Sequence, residues 1–140
     1  VADLLDGVAR HLMSRGLLTY DPTGRSGDTF IESLPSTPDV CVVLTIYDDG
    51  TETDSQIGHD DVPVQVRVRG TTDPRPSRQL AQSIRDELLG LSETLLPDGT
   101  YLLLGLGNAA VASMGTDENR RHEHVANLVL RVRSATPHRV

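Results

Sequence analysis

His122, Glu123 and His124 place two imidazoles two residues apart, so on a strand both project from one face. Neutral imidazoles are good zinc donors, and His59 or Asp117 would have to complete the shell. Two histidines without a fixed third ligand are weak grounds for a metal, and surface or interface histidines are the simpler reading. A second pattern, Leu104-Gly105-Leu106-Gly107-Asn108-Ala109-Ala110, has the glycine spacing of a dinucleotide phosphate loop. That loop must open a long helix inside a strand-helix-strand unit, and Gly115 ends any helix here after about one turn. Glycines serving close packing or a bulge at a strand end account for it instead. Ser26 and Ser113 lie near glycines but not in the spacing of a nucleophile elbow, and Cys41 sits inside an apolar run, where a thiol is a packing group. These residues predict no enzyme, no cofactor and no metal. A small-molecule or metal-binding module on His122, His124 and the Gly105 to Gly107 turn is the alternative of a different class.

The charges are more telling than the nucleophiles. All thirteen basic side chains are arginine, the net charge is -7, and six carboxylates (Asp48, Asp49, Glu52, Asp54, Asp60 and Asp61) fall between Asp48 and Asp61 with no arginine among them. A net acidic chain is a poor binder of nucleic acid, whose phosphates demand a basic surface. The absence of lysine fits a coding genome rich in G and C. One cysteine excludes an internal disulfide. No apolar run approaches a membrane span, and the first residues lack the pattern of an export signal.

The elements that must carry these groups follow from periodicity. Leu4, Leu5, Val8 and Leu12 form one helical face from Ala2 to about Arg15, ended by Gly16. A turn-rich loop from Tyr20 to Asp28 precedes a possible short strand over Thr29 to Leu34. Val40 to Tyr47 is apolar on both faces, as a doubly covered strand is. Val62, Val64, Val66 and Val68 alternate with Pro63, Gln65, Arg67 and Arg69, which predicts a strand pairing antiparallel with the previous one across the acidic loop. Asp73-Pro74-Arg75-Pro76 starts a second helix, with Leu80, Ile84, Leu88 and Leu91 on its face. After the Leu96-Pro97-Asp98-Gly99 turn come strands over Tyr101 to Gly105 and about His122 to Ser134. The expectation is one α+β domain over residues 1–134, two helices packed on one antiparallel or mixed sheet in the order α-β-β-α-β-β, with a flexible tail over 135–140. An apolar share of 37% with no tryptophan is thin for a monomer, which favours self-association.

Several of these segments, in this order, resemble one known family. They are Leu4-Leu5-Asp6-Gly7-Val8-Ala9-Arg10-His11-Leu12, the bracketed turn Leu34-Pro35-Ser36-Thr37-Pro38-Asp39, the strand Val64-Gln65-Val66-Arg67-Val68-Arg69-Gly70, the turn Asp73-Pro74-Arg75, and the Gly115 to Arg121 stretch leading into Asn127-Leu128-Val129-Leu130. Together they resemble the tail-terminator and minor-capsid (tail-completion) proteins of long-tailed bacteriophages. The resemblance implies a virion protein assembled in the host cytoplasm: a ring, generally of six copies, at the head-proximal end of the tail. Such a ring stops polymerisation of the tail-tube protein and joins the tail to the head-completion (neck) protein, and DNA passes through it without specific binding. A head-closure or tail-tube ring protein is the runner-up within the virion. No catalytic residue, cofactor or membrane contact is implied.

On that reading two surfaces matter. Arg67, Arg69, Arg131 and Arg133, on the polar side of two strands, are expected to pair with carboxylates of the next subunit in a closed heterologous ring. The acidic residues from Asp48 to Asp61 are expected to form a loop facing the lumen or rim, where they repel passing phosphate.

Overall fold

The computed structural model describes residues 3–47, 50 and 52–139. Helix α1 spans Leu4–Ser14, capped by Asp3, whose carboxylate accepts from the Leu5 and Asp6 amides. It stops at Gly16 (φ 74°), where the Gly16 amide donates to the Met13 carbonyl and the Leu17 amide to the Leu12 carbonyl. This paired closure needs a left-handed residue, and glycine adopts it without a Cβ clash. Helix α2 spans Pro74–Leu88, capped by Asp73 with Pro74 in its first turn. It buries Ser77, Ala81, Ile84 and Leu88, so the true stripe includes small residues that apolar periodicity passes over.

Seven strands build the sheet: β1 (Thr29–Ile31), β2 (Cys41–Ile46), β3 (His59–Arg69), β4 (Ser92–Leu95), β5 (Tyr101–Gly107), β6 (Ala112–Thr116) and β7 (His122–Arg133). Their order is β1-β2-β3-β7-β5-β4, with β6 also paired to β7. Only β1 and β2 run parallel, so the sheet is mixed. The two-helix, mixed-sheet expectation holds, and β2 pairs antiparallel with β3 as the alternation requires. The order α-β-β-α-β-β does not: the chain runs α-β-β-β-α-β-β-β-β. The strands it omits are short and peripheral. β1 has three residues, β4 is interrupted by Glu93 at φ 46°, and all five residues of β6 are exposed, so β6 carries no inward-outward alternation.

Both helices lie on one face of the sheet. Leu5, Val8, Leu12, Ile84 and Leu88 pack onto Val42, Leu44, Val64, Val66, Val68, Leu102, Ala126, Leu128 and Leu130 in a single core. Its buried side chains are aliphatic, with Tyr20 packed against them, in keeping with the near-absence of aromatics. Gly105 lets the end of α2 touch the sheet, since a Cβ there would lie 1.9 Å from the Leu88 carbonyl oxygen. Gly105 also exchanges backbone hydrogen bonds with Gly90 and Leu91 at 2.8 Å. The glycine pattern is thus a packing device, next to a register shift between Leu102 and Leu104. Beyond β7 the chain turns back on itself: Ser134 donates to the Gly58 carbonyl, and Arg139 pairs with Asp60 at 2.7 Å. Arg139, within the segment expected as a tail, is thus bonded to the start of β3.

Candidate assembly surface

The face of the sheet away from the helices carries the residues singled out for assembly. Alternation along β3 and β7 brings Gln65, Arg67 and Arg69 to this face with Glu123, Val125, Asn127, Arg131 and Arg133. The register sets Gln65 opposite Asn127 and Asp61 opposite Arg131, and both pairs are bonded. All four expected interface arginines therefore share one face, although they do not share one environment.

Arg67 donates through Nε to Glu123 at 2.6 Å, and the carboxylate is almost wholly covered. Arg131 makes a two-pronged pair with Asp61, at 2.8 and 3.1 Å. Arg69 is only 2% exposed, and its guanidinium is spent on the carbonyls of Pro38 and Asp39. It is a structural arginine. Arg133 differs from all three: it lies over the Tyr101 ring, 5.6 Å from the centroid, and has no carboxylate partner among the described residues.

The acidic segment also divides. Asp48 and Asp49 lie outside the described residues. Glu52 and Asp54 are exposed, and Asp54 accepts from the amides of Gln56 and Ile57, which hold its carboxyl below the usual aspartate range. Asp60 and Asp61 are not loop residues. They open β3, and each is ion-paired within the chain. Hydrogen bonds from Arg139 and Arg131 hold their carboxyls low, against the opposing effect of partial burial. The β-strand begins earlier than the valine alternation because these carboxylates find arginines on the neighbouring strand and the returning chain end.

Two arginines that the sequence did not single out are also ion-paired within the chain. Arg121 reaches the Ser36 carbonyl and the Asp39 carboxylate through Nη1, and Asp117 through Nε, at 2.8 to 3.0 Å. With Arg69 it clamps the proline-bracketed turn onto the ends of β3 and β7. Arg139 is the other. A signal for Arg121 was present in the Asp117-to-Arg121 spacing, which closes a turn with Arg120 at φ 61°.

The two histidines have separate surroundings. His124 is buried on the helix side, with Nδ1 2.7 Å from the Ser77 hydroxyl, and burial pushes its pKa down, helped by the nearby Arg78 and His122. Among the described residues no three metal-ligating side chains converge. No helix among them is long and apolar enough to cross a membrane.

A family model described as bacteriophage tail terminator protein matches residues 11–133, which include all seven strands, α2 and the end of α1. No curated protein matches the chain. With nearly the whole fold inside the match, the chain belongs to the bacteriophage tail terminator family.

Proposed function

We propose that this protein is a ring-forming subunit that caps the head-proximal end of the tail tube, stops addition of tube protein, and presents the surface on which the head-completion protein docks. The observation that carries the reading is the family match over residues 11–133. The thin aliphatic core supports self-association, because a second subunit adds burial that one chain lacks. The charge-paired sheet face supports a docking surface that keeps its shape. Glu52 and Asp54, exposed between β2 and β3, face the lumen or rim of the ring, where carboxylates keep DNA from adhering. Arg133 is the arginine of the expected four that retains a charge to offer a neighbouring subunit.

Cryo-electron microscopy of purified virions tests this directly. The reading requires a single ring of this chain between tube and neck, and its presence in the tip or along the tube contradicts it.

A further inference from the structure

The two ends of the sheet are unlike each other in a complementary way. At the β1 end, an open groove of about 420 Å³ lies between the Tyr20 to Gly24 loop, β1 and Pro35. Phe30, Ile31 and Pro22 make it apolar, and Asp21 is the one charged residue of its lining. Thr23 and Ser26 donate to the Asp21 carboxylate, which holds its pKa below the usual aspartate range. Tyr20 is fixed by its hydroxyl, which donates to Asp6 at 2.7 Å.

At the other end, β4 carries Leu95, the most exposed of the large apolar side chains at 67%. Leu95 sits opposite Tyr101 in the register, and Tyr101 is the ring over which Arg133 lies. An apolar knob thus stands at one edge, and the Tyr101 ring opposite it carries a cation with no carboxylate partner among the described residues. An apolar groove with a carboxylate stands at the opposite edge. Pairing by strand addition is disfavoured, because Glu93 at φ 46° interrupts the β4 edge. Contact through side chains is left.

We infer that the subunit contact is heterologous, with Leu95 of one copy seated in the Phe30–Ile31 groove of the next and Arg133 facing Asp21. This rests on the ring reading and names the surfaces that close it. A knob and a hole at opposite edges of one sheet make a head-to-tail contact, the kind that generates a ring when its rotation closes. An isologous dimer would use one patch twice and leave either knob or hole empty.

The test uses virions grown with a Leu95→Cys, Pro22→Cys double variant and treated with a short bis-maleimide. Both positions are exposed and Cys41 is buried, so the native thiol stays silent. A ladder of covalent oligomers is expected from the double variant, and none from either single variant. Normal tails that contain the subunit but yield no ladder overturn the contact and leave the terminator reading standing. Dimers from Leu95→Cys alone also overturn it, since they indicate a symmetric contact. Wild-type tails that lack the subunit overturn the terminator reading itself. As a second variant, Leu95→Asp should keep the parent melting temperature and fail to enter tails; incorporation at the wild-type level contradicts the proposal.

Discussion

Arg69 Nη2 donates to the Pro38 carbonyl oxygen at 2.7 Å, while its Nε reaches the Asp39 carbonyl at 2.9 Å. A guanidinium with 2% exposure is thereby satisfied by backbone dipoles and ties the turn before β2 to the end of β3. Arg69→Met should remove two charge-assisted bonds and cost about 2–3 kcal/mol. Arg69→Lys should recover little, because an ammonium lacks the fork. Urea denaturation measures both; a loss below about 0.5 kcal/mol in the methionine variant contradicts the clamp.

Gly105 lies against the end of α2. A methyl group there would meet the Leu88 carbonyl at 1.9 Å, and backbone cannot swing aside as a side chain can. Gly105→Ala should cost about 3 kcal/mol or more through overpacking. Gly16→Ala, where no atom lies within 4 Å but φ is 74°, should cost about 1 kcal/mol from conformation alone. Equal losses at the two sites would contradict a steric origin for the first.

Acid should destabilise the fold in two steps. His124 has its folded pKa depressed by burial, so the unfolded chain takes the proton first. Its contribution is complete above the unfolded value, about 6.5, and falls as pH drops below it. The second step comes from Asp60 and Asp61, held low by Arg139 and Arg131. Their contribution is present above the unfolded aspartate value, about 3.9, and is lost as pH falls through the folded values. Denaturation curves from about pH 8 to pH 3 should show both; His124→Gln should flatten the first and Arg139→Gln weaken the second. A profile unchanged by either variant contradicts the assignment.

Neutralising Glu52→Gln and Asp54→Asn should leave the melting temperature within a degree or two, since exposed loop charges contribute little. Tails should form at normal length and eject DNA more slowly, most visibly at low salt, where screening is weakest. Wild-type ejection kinetics at low ionic strength would remove these carboxylates from the lumen.

The long elements were legible because each announces itself over many residues. The Leu4 to Leu12 face with Gly16, and the Val62 to Val68 alternation, both gave the right element. β4 and β6 were not legible. Four polar-to-mixed residues and five wholly exposed ones have no period of their own, and they are strands because β5 and β7 offer them a partner. The arginines were visible as a pattern, but their fates were not. Arg67 and Arg131 find Glu123 and Asp61 only through the register of β3 on β7, which brings together positions 56 and 70 residues apart. Arg139 was missed because Asp60 lies on a segment that sequence order does not place beside it, whereas for Arg121 the near partner Asp117 was in view and only Ser36 and Asp39 were remote. The glycines of β5 and the His122 and His124 pair show the reverse case. Each matched the outline of a ligand site, and in each one residue packs against α2: Gly105 under Leu88, His124 against Ser77.

The central claim is that this chain ends tail growth. Purified tube protein elongating in vitro, with length followed by electron microscopy, tests it most directly. Adding the protein should arrest elongation at whatever length has been reached, with one ring at one end of each tube. Tubes that continue to lengthen at the same rate, with the protein absent from their ends, would contradict it.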